Sequence, residues 1–105
     1  MKIPRLRYKV ILQSLTTLKN GLGQEDDVWN MFATVHASKR TLSQKERFIG
    51  EKLAVESSEL FIIRYREGID TQMRILFGIK SYEITGVMNH KERNRYLFLY
   101  AKEVM

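Results

Sequence analysis

Leu60-Phe61-Ile62-Ile63-Arg64-Tyr65-Arg66, Met73-Arg74-Ile75-Leu76-Phe77 and Tyr82-Glu83-Ile84-Thr85-Gly86-Val87 are three short runs rich in β-branched and aromatic residues. Gly68 with Asp70 separates the first two, and Gly78 the last two. Such residues fit a pleated, half-buried surface, while glycine and aspartate form turns, so the pattern is a strand meander rather than a series of helices. Working outward, the spacing predicts strands over Ser58–Arg66, Gln72–Phe77, Lys80–Met88 and Tyr96–Lys102. The polar stretch Met88–Asn94 reads as the hairpin loop between the last two.

The amino-terminal half adds two more strands. Over Arg5–Leu15, Arg7, Lys9 and Gln13 alternate with Tyr8, Val10 and Leu12, the period-two signature of a half-buried strand. Over Val28–Ser38, Trp29, Met31, Ala33, Val35 and Ala37 are expected on one face, with Asn30, Thr34, His36 and Ser38 on the other; Phe32 breaks the alternation. Between these strands, Thr16–Asp27 reads as a loop, with Asn20-Gly21 as its turn signal and Glu25-Asp26-Asp27 as an acidic exit. Lys39–Ser57 changes period. Ser43-Gln44-Lys45-Glu46 is a capping-box pattern, and Leu42, Glu46, Ile49 and Leu53 have helical spacing. Gly50 weakens that helix by about 1 kcal/mol. One short helix is expected, over Gln44–Ala54. The fold class is therefore mainly β: a small antiparallel six-stranded barrel or sandwich, with one short helix inserted between strands 2 and 3. Closing the sheet removes exposed strand edges.

At 105 residues the chain is expected to form one domain, since a second core would have too little volume. Cysteine is absent, so disulfides and thiolate metal sites are excluded. The longest apolar runs are about four residues, against the roughly 20 that a helical membrane span needs. Met1-Lys2-Ile3-Pro4-Arg5 carries no apolar stretch long enough for a secretory signal. The expectation is an intracellular or virion-borne chain with no membrane partner. The net charge is +6, which suits a nucleic-acid binder through phosphate neutralisation. The charges are dispersed along the chain, however, and read first as ordinary solvated surface.

Catalytic signatures are scarce. His36 and His90 lie far apart and in no metal-ligand spacing, and no phosphate-binding or nucleophile-elbow motif occurs. Glu25, Asp26 and Asp27 read as a solvated acidic loop in preference to a cation site. No catalytic residue, metal or cofactor is expected. Two alternatives stay open. Asn89-His90-Lys91-Glu92-Arg93-Asn94-Arg95-Tyr96 holds the residue types of a ribonuclease toxin site, in which cations stabilise the phosphorane and histidine or tyrosine moves a proton. Tyr65 between Arg64 and Arg66, with Tyr96, Phe98 and Tyr100, holds those of a platform for single-stranded nucleic acid. Against both, polar residues are expected in a hairpin, and rings in a barrel fill its core or a subunit contact. Trp29 likewise reads as core first and as an interface anchor second.

Taken in order along the chain, several segments resemble the head–tail joining (head closure, stopper or adaptor) proteins of tailed bacteriophages. Arg5-Leu6-Arg7-Tyr8-Lys9-Val10-Ile11-Leu12-Gln13 is similar to the family's basic-apolar first strand. Trp29 followed by Phe32–Ser38 is similar to its second strand, with His36 where many members carry an aromatic residue. Ile63-Arg64-Tyr65-Arg66, Gly68–Ile75, and Tyr82–Val87 with Arg93–Leu99 match the segments that follow. The resemblance covers about Arg5 to Glu103. It implies a structural, non-enzymatic protein of the virion neck, assembled in the host cytoplasm into a ring of six copies. The ring would lie below the portal, close the DNA-filled head and dock the tail. Implied partners are further copies of the chain, portal and adaptor proteins, tail-terminator proteins and, non-specifically, packaged double-stranded DNA. Leu22, Glu25, Asp26 and Asp27 in the expected loop are the candidate subunit contacts, with Trp29 and Arg64. Lys39, Arg40, Lys45, Arg47 and Lys52 are the candidate channel-facing or DNA-facing residues.

Overall fold

A computed structural model describes residues 3–19, 21–43 and 58–104. Six strands make up the fold: β1 (Tyr8–Lys19), β2 (Glu25–Thr41), β3 (Glu59–Arg64), β4 (Arg74–Phe77), β5 (Lys80–Asn89) and β6 (Tyr96–Val104). All pair antiparallel and close into a barrel in the order β1-β2-β3-β6-β5-β4. The mainly β, antiparallel six-stranded fold read from the sequence is thus observed, and of the two forms expected, barrel or sandwich, it is the barrel. The helix expected over Gln44–Ala54 lies outside the described residues.

The alternating apolar residues build the interior. Val10 and Leu12 of β1, Ala37 of β2, Phe61 and Ile63 of β3, Ile75, Tyr82, Ile84 and Leu99 form one buried cluster. Phe61 centres it, edge-on to Tyr82 with ring centroids 5.0 Å apart. Strand β3 is buried on both faces, with Leu60 and Ile62 covered as well as Phe61 and Ile63. Its outer side chains join Leu42 and Phe98 in a second cluster, which Ile3 and Leu6 cover from the segment ahead of β1. A continuous apolar run is what a strand buried on both faces requires.

Turn chemistry follows the sequence closely. Phe77 pairs with Lys80 across Gly78-Ile79, and Gly78 has φ +61°, as a two-residue hairpin turn demands. Asp70 accepts a hydrogen bond from the Gln72 backbone N–H at 2.9 Å, shaping the connection into β4. That connection packs Tyr65, Ile69 and Met73 against the main cluster. Its Gly68 has φ +90°, and a Cβ there would stand 3.1 Å from Phe32 Cζ.

Two expectations are corrected. Thr16–Asp27 is not a loop: Thr16 pairs with Val28, Thr17 with Asp27, Leu18 with Asp26 and Lys19 with Glu25. Side chains support the ladder, since Thr17 Oγ1 donates to Asp27 Oδ1 at 3.1 Å and Asn30 Nδ2 to Thr16 Oγ1 at 2.7 Å. Threonine and leucine are competent strand residues, and the chain reverses between Lys19 and Glu25 through a turn that includes Gly21–Gly23. The second correction concerns Trp29 and Met31. Leu12 pairs with Ala33 but Gln13 with Met31, so Phe32 is an extra residue, a β-bulge. Passing it switches the faces: Trp29 and Met31 leave the side occupied by Ala33, Val35 and Ala37 and join that of Gln13 and Leu15.

Candidate functional site

The β1–β2 hairpin outruns the barrel. Gln13 is the last residue of β1 bonded to β4, and among the described residues Ser14–Lys19 pair only with Glu25–Asn30. At about 3.3 Å per residue this arm is roughly 20 Å long. Strand β2 alone would span roughly 55 Å, in keeping with a molecule 52 × 27 × 25 Å in extent. Leu15 and Leu18 are 43% and 54% exposed on it, Met31 just beyond its base is 69% exposed, and Leu22 is 87% exposed near the tip. Glu25, Asp26 and Asp27 are exposed along the returning strand. Among the described residues, no group of three or more histidines, cysteines or acids is placed to hold a metal ion.

Where the arm leaves the barrel, Trp29 lies against Arg74. The guanidinium carbon stands 4.2 Å from the Trp29 ring centroid, and Arg74 Nε donates to Gln13 Oε1 at 2.6 Å. Gln13, Arg74 and Glu83 are register neighbours on β1, β4 and β5, so the barrel closure itself assembles this row. Around it runs a groove of about 630 Å³ lined by Leu15, Trp29, Met73, Arg74, Glu83 and Val104, among others. Trp29 is therefore a half-buried surface residue rather than a core residue. The contact is of the cation–π type and contributes about 0.5–1 kcal/mol. Replacing Arg74 by Ala is expected to lower stability by no more than about 1 kcal/mol while shifting Trp29 emission to the red. Trp29 is the only tryptophan, so fluorescence reads this one contact. An unchanged emission maximum would refute the stacking.

A second groove, of about 620 Å³, has a different lining: Arg5 and Leu6 ahead of β1, His36 of β2, Arg64, Arg66 and Tyr96. A shallower neighbouring depression adds Asn94 and Arg95. Neither lining includes a carboxylate, and the four arginines make no ion pair with one among the described residues. Arg64 lies over the Tyr96 ring at 5.9 Å, and Arg66 over Phe32 at 5.9 Å. The barrel thus gathers arginines scattered from residue 5 to residue 95 into one positive, aromatic-floored surface.

The remaining predicted residues are placed elsewhere. Lys39 Nζ is 3.5 Å from a Glu59 carboxylate oxygen and 6.0 Å from the Tyr82 ring centroid. Arg40 is half-buried beside it on β2, opposite Leu60. Lys45, Arg47 and Lys52 lie outside the described residues. His90 stacks on Phe98, with ring centroids 4.6 Å apart and planes 5° from parallel. It opens a 3-10 turn, His90–Glu92, pinned by hydrogen bonds between Asn89 and Asn94 of 2.7 and 3.1 Å. That histidine packs a hairpin. The sequence reading singled out Trp29, Arg64 and the acidic residues but missed Arg74, Gln13, Arg5 and Arg95 as members of these surfaces. Nothing in the local sequence marks them, because their neighbours arrive through long-range pairing.

The described residues thus form a closed barrel with a projecting hairpin and open grooves on its surface. Comparison with known proteins gives the family. The phage head completion protein model matches residues 1–104, and the chain belongs to that family. It is accordingly a structural head protein of a phage particle, in contact with other virion components. The solution structure of protein SF1141 from Shigella flexneri 2a is similar, with a TM-score of 0.81 and 24% identity over 98% of this chain and 96% of that one. A chain in the virion of a native gene transfer agent particle is similar at a TM-score of 0.62 and 20% identity, over 96% of this chain and 97% of the other. At these identities the likeness is one of fold. No curated protein matches the chain.

Proposed function

We propose that the protein is a non-enzymatic connector of the virion neck. Copies assemble as a ring, of six in this reading, below the portal, where they close the DNA-filled head and present the surface on which the tail docks. The observation that carries this reading is the family match over residues 1–104. The unpartnered arm supports it, since an isolated two-stranded ribbon is marginal in water and gains stability by packing on something else. The arm residues Leu22, Glu25, Asp26 and Asp27, with Trp29 at its base and Arg64 on the basic groove, supply the contacts between copies. Portal, adaptor and tail-terminator proteins are the remaining partners. Lys39 and Arg40, with Lys45, Arg47 and Lys52 in the segment that follows, face the packaged DNA.

The test is electron microscopy of purified protein added to portal-bearing, DNA-filled heads that lack it. The expected result is a ring at the portal vertex with the genome retained. Heads left bare at that vertex would refute the reading. One observation favours a second function, namely the groove that collects Arg5, Arg64, Arg66 and Arg95 with no carboxylate among its described lining residues. A nucleic-acid-binding barrel would bind short oligonucleotides as a monomer, with affinity falling steeply as salt rises.

A further inference from the structure

The arm and the basic groove are complementary, and they lie on different parts of the chain. The arm carries Glu25, Asp26 and Asp27, all exposed, against a single lysine, Lys19. Among the described residues, the groove and its neighbouring depression carry four arginines and no acid, floored by the Tyr65 and Tyr96 rings. From these we infer that the acidic hairpin of one copy seats in the arginine groove of a second copy. The contact is heterologous, one surface meeting a different one, which is the kind of contact that closes a ring.

Reach is sufficient. A ribbon of roughly 20 Å spans most of the width of a neighbouring barrel whose short axes are 27 and 25 Å. Exposed Leu18 and Leu22 would leave water against the aromatic floor, while the carboxylates meet guanidinium groups that have no other carboxylate among the described residues. Guanidinium is suited to this, because its planar fork pairs with carboxylate in two parallel hydrogen bonds. The same cations suit DNA phosphates. The second copy is the better occupant, because this chain itself presents a matching acidic partner on an element that otherwise lacks cover.

The inference rests on the ring reading and is tested so that the two fail separately. Three variants are compared with the parent chain on portal-bearing, DNA-filled heads: Asp26→Lys/Asp27→Lys, Arg64→Glu/Arg66→Glu, and the chain carrying all four changes. Each two-site variant alone is expected to lower ring occupancy about 100-fold, the effect of like charges facing each other at an interface. An equimolar mixture of the two is expected to restore occupancy, since each reversed arm meets a reversed groove and each native arm a native one. The four-site chain is expected to assemble by itself. Rescue also proves that the variants are folded. Two-site variants that occupy heads as the parent does, or a mixture no better than either component, overturn the inference and leave the ring. Rings of the Arg64→Glu/Arg66→Glu variant that form normally but lose the packaged DNA assign the groove to DNA and overturn it as well. Failure of the parent chain to bind heads overturns the ring reading and this inference with it.

Discussion

Replacing Phe61 by Ala is expected to cost about 3–5 kcal/mol of folding stability, the usual range for truncating a buried phenylalanine. Phe61 is fully buried, lies edge-on to Tyr82 at 5.0 Å and is within 6.4 Å of Phe77, so its loss empties the middle of the barrel. Small barrels have little slack to collapse into such a space, because every strand is held at both edges. Against a total of about 5–15 kcal/mol for a domain, the loss leaves the variant close to unfolding. Urea denaturation followed by circular dichroism measures it. A midpoint within error of the parent would mean that Phe61 is not at the centre of the core. Trp29 emission adds an independent probe of the same transition.

Removing the arm is expected to have the opposite profile. Leu15 and Trp29 are paired, so Thr16–Val28 can be replaced by Asn-Gly, the preferred two-residue hairpin turn. The barrel retains every core residue, because the described residues among those removed are exposed or half-buried and none of them belongs to either buried cluster. Stability is expected to change by less than about 1 kcal/mol, since a ribbon free of tertiary packing contributes little to it. Head completion is expected to fall by about 100-fold or more, roughly the consequence of deleting a contact of 2–4 kcal/mol at every interface of an assembly. Counting tailed, DNA-filled particles after complementation measures this. A shortened chain that completes heads normally would remove the arm from the assembly altogether. A shortened chain that fails to fold would show instead that the arm supports the barrel.

Much of this architecture was legible along the chain. Alternation in β1, the turns at Gly68-Asp70 and Gly78, and the β-branched runs of β3 to β5 rest on local preferences that the barrel obeys. Phe32 was visible as the one break in the alternation of β2. Its meaning was not, since a break is compatible with an irregular side chain on an intact strand, and only the pairing of Leu12 with Ala33 and Gln13 with Met31 identifies a bulge. From that bulge follow the exit of Trp29 from the core and its stacking on Arg74. The arm was misread as a loop for a related reason: polar residues in a ribbon exposed on both faces lack the apolar periodicity that marks a strand packed on a core.

By itself, the sequence determined the class and the family. Period-two patterning and turn residues specify antiparallel strands through short-range physics, and ordered motifs over nearly the whole chain match the head completion proteins. Only the tertiary structure decided the surfaces. Barrel closure brings Gln13 to Arg74, and Arg5 to Arg64, Arg66 and Arg95, and among the described residues it leaves Ser14–Lys19 and Glu25–Asn30 strand-paired with each other alone. The physical reason is that charge complementarity depends on distance in space, and distances between residues tens of positions apart are set by strand order and register rather than by any local preference.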